Sequence, residues 1–421
     1  MPSFDLPATT RHQFFSLFKE YLSIADEDAF DVIVATAIHS FIAVDTTTQA
    51  GTFDDRSPVW LLLVGPSGGG KTLLAWKPFQ GMISHIHNID QITPRTFITG
   101  LKTGQDLLPL LHRKLVLIKD MTSILSMRSE QAAEVFSQLR QIYDGEFTAN
   151  FGGDKPSKTY RSVFDIIACT TPDAAVRIRN FNAQLGERFI PIYMRVDNSD
   201  INRAVARNNG HEKEIGIALH TAMTDLLRST EPYYYLYDKI TLDYSMVEYI
   251  SSLVGLSTYM KTVVTRDWQQ DVSEFPKPDS TGRVYEALMS IMRSVAVLYH
   301  HDSITEREIQ IIRRMCYYFI QSERLIILEV LLKRPNLRTA DLAECVSLPY
   351  MTIKKMVSAM SALRLIHEDD GKWSITEQLK VRLDSTGLFN NGIILPDDRP
   401  EDVRDLIMAA RPIDAQGARG W

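Results

Sequence analysis

Gly65, Pro66, Ser67, Gly68, Gly69, Gly70, Lys71 and Thr72 follow one another in the order Gly-x-x-x-x-Gly-Lys-Thr. Glycines at this spacing let a backbone turn tightly and aim successive N–H groups at phosphate oxygens. A helix N-terminus behind them adds positive potential. In that chemistry Lys71 contacts the β- and γ-phosphates of ATP, and the Thr72 hydroxyl ligates Mg²⁺. The apolar run from Trp60 to Val64 precedes the turn, and Leu73, Leu74, Ala75 and Trp76 follow it. The glycines therefore stand between an expected strand and an expected helix, the context this chemistry needs.

A carboxylate near the metal belongs at the end of a second strand. Leu115 to Ile118 reads as that strand, and Asp120 follows it. Asp120 either ligates the metal or acts as the base that activates water. In the first case Glu130 and Glu134 are the alternative bases. A capping role after a core strand is the plain structural reading of the same residue. Further on, the expected strand from Phe164 to Cys169 ends in Thr170-Thr171-Pro172. A small hydroxyl there, Thr171 or the alternate Thr170, can reach a γ-phosphate or the attacking water. Arg188 stands just before another apolar strand, and arginine suits the charge on a transferring phosphoryl group.

The elements that must position these residues follow from the pattern. Residues 1–50 read as two helices. In the second, Phe30, Ile33, Val34, Ala37, Ile38 and Phe41 share one face, and Asp26, Glu27 and Asp28 sit where the helix dipole favours negative charge. Residues 51–196 alternate buried-strand runs (Trp60–Val64, Leu115–Ile118, Phe164–Cys169, Phe189–Met194) with helical stretches, which predicts an α/β domain with a parallel sheet. Glu146–Phe151 and Thr159–Phe164 flank a turn containing Lys155 and Lys158, and read with Arg161 as a basic β-hairpin or a plain surface turn. Residues 197–322 read as mostly helical, and 385–421 as a loop-rich tail with a short helix near Glu401–Ala410.

Composition bounds the function. The 421 residues carry a net charge of −6, which argues against a surface that coats nucleic acid everywhere and leaves room for a local basic patch. Three cysteines with no paired spacing argue against a zinc module or a disulfide framework, and fit a reducing, cytoplasmic setting. The first residues lack the apolar stretch of a signal peptide, and the longest apolar runs are too short to cross a bilayer, so no membrane partner is expected.

The order of these motifs resembles the AAA+ ATPase superfamily over roughly residues 55–320. Within it, the likeness is to the branch with a hairpin just before the sensor 1 strand, which includes minichromosome-maintenance helicases and bacterial enhancer-binding activators. The resemblance implies a P-loop parallel sheet with a helical lid, ATP and Mg²⁺ as ligands, and sensor 1 at Thr171. It makes Arg188, in Glu187-Arg188-Phe189, an arginine finger, and Arg283 a sensor 2 residue opening the lid helix, which acts on its own subunit's nucleotide or on the neighbour's. A finger far from its own phosphate loop implies a homo-oligomeric ring, a hexamer, with each site completed by a neighbour. Where related ATPases carry Asp-Glu after the second strand, this chain has Lys119-Asp120.

Residues 323–384 read as a winged helix-turn-helix, with helices at Leu325–Lys333, Ala340–Val346 (capped by Thr339) and Thr352–Leu363, and a hairpin at His367–Thr376. Tyr350, Thr352, Lys354 and Lys355 would face outward from the third helix and Lys372 would sit on the wing, a DNA-contacting arrangement. Glu368, Asp369 and Asp370 weaken the case for DNA and suit a protein partner. The expectation is an ATP-driven motor acting on DNA, with Lys155, Lys158 and Arg161 of the hairpin touching phosphates in the pore of the ring. The alternative is a non-translocating switch whose winged helix binds DNA or a protein.

Overall fold

The computed structural model describes residues 9–22, 26–45, 56–98 apart from 83, 106–149, 157–178 apart from 176, and 188–195. It also describes 202–389 apart from 203, 205, 207, 268, 270, 271 and 275. The chain divides into two units, residues 1–251 with 280–315, and residues 252–279 with 316–421.

The strands of the first unit are β1 (Trp60–Val64), β2 (Ile86–Ile89), β3 (Leu115–Ile118), β4 (Glu146–Ala149), β5 (Lys158–Arg161), β6 (Asp165–Thr170) and β7 (Phe189–Tyr193). Five of them form a sheet in the order β2-β3-β6-β1-β7, and every neighbouring pair is parallel. β1, β3, β6 and β7 are buried along their whole length. Strands covered on both faces need apolar residues at every position, which is why these sequences show no polar alternation. β2 is an edge strand with His87 and Asn88 partly exposed, and its short mixed sequence carries no strand signal. Trp60 locks one end of the sheet: its indole N–H donates to the Phe164 carbonyl at 3.0 Å, and its ring packs on Tyr143, Phe164 and Phe189.

The helices before the second unit's own elements are α1 (Thr9–Leu22), α2 (Glu27–Asp45), α3 (Lys71–Ala75), α4 (Thr122–Leu125), α5 (Ser129–Tyr143), α6 (Glu212–Thr230), α7 (Leu236–Lys239), α8 (Tyr244–Lys261), α9 (Gly282–Leu298) and α10 (Glu306–Tyr318), and α2 and α3 pack on the sheet. The one apolar face expected of α2 is too narrow a reading, because residues 29–40 are buried all round. One side of α2 lies on β3 and β6 and the other on α9, so it is a core helix. Asp26, Glu27 and Asp28 do begin this helix, yet they are engaged by arginines as well as by the dipole. Arg314 binds Asp26 and Asp28, Arg307 binds Asp28 and Asp31, and Arg11 binds Glu27 and Asp31.

In the second unit, α11 (Ser322–Lys333), β8 (Leu337–Arg338), α12 (Thr339–Val346), α13 (Tyr350–Ala362), β9 (Ile366–Asp369), β10 (Lys372–Ile375) and α14 (Glu377–Thr386) follow in turn. The strands form an antiparallel sheet in the order β8-β10-β9. Asp370 (φ 48°) and Gly371 (φ 71°) supply the left-handed pair that a two-residue hairpin turn requires. Of Ile353, Met356, Val357 and Met360, which helical spacing puts on one apolar face of α13, Met356 is half-buried and the other three are buried. Thr339 does not cap α12 from outside. It is the first helical residue, and its hydroxyl accepts the Trp373 indole N–H at 2.9 Å, tying helix to hairpin. The short helix expected near Glu401–Ala410 lies outside the described residues. Among those described, no helix is long and apolar enough to cross a membrane.

Candidate functional site

The glycine-rich turn leaves the C-terminal end of β1 and enters α3. Gly68 (φ 75°) and Gly70 (φ 79°) occupy the left-handed region, and a Cβ on Gly69 would lie 3.0 Å from the Pro66 carbonyl oxygen. The glycine spacing is thus a conformational requirement of the turn. Pro66 and Ser67 span it. The Lys71 ammonium folds back over the turn and donates to the carbonyls of Gly65 at 2.7 Å and Pro66 at 2.6 Å. Burial lowers its pKa, with Cys169 and Asp120 opposing. A phosphate offered here can replace those carbonyls as the acceptor for Lys71. Thr72 stands exposed in the first turn of α3.

The sheet brings the other expected residues to this edge. β6 lies between β1 and β3, with Val64 opposite Thr170 and Ile118 opposite Ala168. Gly65 N–H donates to the Thr170 carbonyl at 3.2 Å, and Met121 N–H to the Cys169 carbonyl at 2.9 Å. Asp120 is exposed and fixed at both oxygens: Oδ1 accepts Thr122 N–H at 2.8 Å and Oδ2 accepts the Thr122 hydroxyl at 2.6 Å. It caps the turn into α4 and keeps further lone pairs for a cation. Lys119 is occupied elsewhere, 2.7 Å from Asp90 and 3.9 Å above the Trp76 ring. Among the described residues no group of three His, Cys, Asp or Glu can hold a metal. Thr72, Asp120 and phosphate oxygens together are a donor set that suits Mg²⁺, which keeps few protein ligands.

Thr171 lines an open cleft of about 600 Å³ with Thr122, Ser126, Asp173 and Arg177. Thr170 is 1% exposed, and its hydroxyl has no hydrogen-bond partner. Cys169, behind it, has its thiol pushed up to about 12 by burial, which Lys71 only partly opposes, so it is inert at neutral pH. Glu130 and Glu134 are both exposed on α5, and Glu134 accepts from Gln138 at 3.4 Å.

Arg188 and Arg283 lie at the other end of the sheet. Phe189 pairs with Trp60 and Tyr193 with Val64, so Arg188 precedes the end of β7 farthest from the glycine turn. A strand of this length spans about 16 Å at ~3.3 Å per residue. Both arginines meet Asp144, the residue that ends α5: Arg188 at 3.5 Å and Arg283 at 3.3 Å. The Arg188 side chain is 7% exposed and that of Arg283 50%. Burial, then Arg283, lowers the Arg188 pKa, and Asp144 opposes this. The sequence hid Asp144: Asp-Gly after an amphipathic helix reads as a helix end, with no sign of partners far along the chain.

The expected DNA contacts divide. β4 and β5 pair antiparallel, as the hairpin reading requires. Lys155 lies outside the described residues. Lys158 donates to the buried Asp106 at 3.0 Å, which also accepts from Tyr160, and Arg161 donates to Glu146 at 3.0 Å. Lys354 and Lys355 are exposed on α13, and Lys372 is half-buried on β10. Arg266 donates to the Lys355 carbonyl at 3.0 Å, so residues near 266 lie along α13. No known protein family's sequence profile matches this chain, and no curated protein matches it.

Proposed function

We propose that the chain is an ATPase of the AAA+ class that acts on DNA as an oligomeric ring. One relationship carries this reading: the glycine turn, Asp120 and Thr171 share one edge of the sheet, while Arg188 and Arg283 occupy the opposite edge. Arginines placed so far from their own phosphate turn serve a neighbour's nucleotide. Lys71 and the turn's N–H groups would hold the triphosphate, and Thr72 and Asp120 would hold Mg²⁺. The ion supplies charge neutralisation at the transferring phosphoryl group. Asp120, fixed by Thr122, also stands where a carboxylate can orient water, and Thr122 lines the same cleft as Thr171. Helices α11, α12 and α13 and the hairpin of β9 and β10 support a winged-helix reading, with Lys354 and Lys355 toward DNA.

The test is ATP turnover alone, with single-stranded DNA and with duplex, beside a strand-displacement assay. DNA-stimulated turnover that is lost in Lys71→Ala and in Arg188→Ala, and restored when these two variants are mixed, is the expected result. Turnover that survives Arg188→Ala removes the shared-site reading.

A non-translocating switch is the second reading. It is favoured by Lys119 in place of an acid and by the carboxylate partners of Lys158 and Arg161, which neutralise the hairpin's base. ATP-dependent assembly without strand displacement would decide for it.

A further inference from the structure

We propose that Asp144 is a positioning residue that holds Arg188 and Arg283 as one pair and yields them to a polyphosphate brought by a neighbouring subunit. The inference rests on the shared-site reading above. Its basis is that two guanidiniums separated by ninety-odd positions meet on the two oxygens of one carboxylate, Oδ2 with Arg188 and Oδ1 with Arg283. Two cations so close repel each other, and a carboxylate between them supplies the charge that a phosphate would otherwise supply. The contacts are long for charge-assisted hydrogen bonds, and Asp144 is 46% exposed, so a better acceptor can displace it.

Asp144 is also well placed to report on its own subunit's site. It closes α5, a helix of 15 residues whose start follows shortly after Asp120 and α4. A helix of that length spans about 22 Å at 1.5 Å per residue, so it runs as one rod from the glycine-turn edge to the arginine edge. Gly145, with φ 83°, ends the rod and turns the chain into β4, which fixes where the Asp144 carboxylate sits. The Arg188 guanidinium also lies over the Tyr143 ring, 5.7 Å from its centre.

Two measurements test this. In the first, Arg188→Ala/Arg283→Ala subunits, which keep the glycine turn, are mixed with Lys71→Ala subunits, which keep the arginines. Carrying Asp144→Asn on the Lys71→Ala subunits lowers kcat about tenfold, the scale of a misplaced charge-stabilising donor. KM stays within about twofold, and Asp144→Glu restores most of the rate. In the second, pyrophosphate is titrated calorimetrically into Lys71→Ala. Asp144→Asn tightens its binding about fivefold by removing a competing charge, and Arg188→Ala/Arg283→Ala abolishes it. Equal rates and equal pyrophosphate affinity with Asp144 and with Asn overturn the inference. If the mixture is inactive even with Asp144 intact, the shared-site reading fails, while the pyrophosphate titration still decides whether Asp144 competes for the arginine pair.

Discussion

Arg314 grips Asp26 with both guanidinium nitrogens, each 2.5 Å from a carboxylate oxygen, and both side chains are at most 2% exposed. The same arginine donates to the Tyr193 carbonyl at 3.0 Å, and Asp26 accepts the Arg195 N–H at 2.7 Å. The start of α2, the end of α10 and the end of β7 are thereby tied beside the glycine turn, since Met194 N–H donates to Val64 at 2.8 Å. Removing one member of a buried pair strands the other charge, which costs about 3–5 kcal/mol. Arg314→Met is expected to lose that much stability in urea unfolding at neutral pH. A loss under about 1 kcal/mol, the range of surface pairs, would show that water reaches the site and that the network is weaker than its geometry.

The same network sets an acid limit. Burial disfavours charge on Asp28, but Arg314 and Arg307 outweigh it and hold its carboxyl below the usual range. The unfolded chain therefore takes up this proton first as pH falls. The stabilisation is complete above about pH 4, the unfolded value, and is lost as pH drops through the folded value. Asp28→Asn is expected to be less stable than the natural chain at pH 7, with the gap closing below about pH 4. Urea midpoints measured across that range give the answer, and a constant gap at every pH contradicts the assignment.

The glycine turn makes a sharper prediction, because fold and binding separate there. A left-handed conformation costs a residue with a Cβ roughly 1–2 kcal/mol, which bears on Gly70 at φ 79°. At Gly69 the penalty is contact: an added Cβ pushes on the Pro66 carbonyl, one of the two acceptors that Lys71 now uses. Gly69→Ala and Gly70→Ala should both weaken binding of a fluorescent ATP analogue at least about tenfold, equal to about 1.4 kcal/mol. Unfolding should become easier by no more than that strain, roughly 1–2 kcal/mol. Full affinity in both variants would mean that the turn's shape has no part in holding phosphate.

Much of this architecture was legible because its signals are local. Four of the five sheet strands are apolar runs bounded by turns, and the glycine turn is read from one stretch of chain. Asp370-Gly371 marked the hairpin, and the spacing of Ile353, Val357 and Met360 marked the face of α13. What stayed hidden depends on partners distant in sequence. β2 shows only Ile86 and Ile89 to the core, so nothing distinguishes it from a loop until β3 pairs with it. α2 looked amphipathic because Asp31, Thr36, His39 and Ser40 are polar, yet each is buried. Arg11 and Arg307 account for Asp31, the Val32 carbonyl for Thr36 and Asp165 for His39. Asp144 and Asp106 escaped notice for the same reason: a lone acid gains meaning only when its cation arrives from another element.

If the chain acts on DNA as proposed, the placement of cations predicts which lysines meet phosphate. A lysine that neutralises a phosphate contributes about 0.9 to the slope of log affinity against log salt on duplex DNA. Lys158 already donates to Asp106, whose side chain is 3% exposed, and this hydrogen bond raises the lysine's pKa. Such a charge releases no extra counterion when DNA arrives. Lys354 and Lys355 are exposed on consecutive positions of α13, where Arg266 donates to the Lys355 carbonyl. Lys158→Ala is therefore expected to leave the salt slope unchanged, whereas Lys354→Ala/Lys355→Ala lowers it by about 1–2. Fluorescence anisotropy of a labelled duplex between low and moderate salt measures both. A slope that falls with Lys158→Ala and holds in the double variant would move the DNA contact from α13 to the hairpin. The second unit would then be free for a protein partner, which the acids Glu368, Asp369 and Asp370 beside Lys372 would suit.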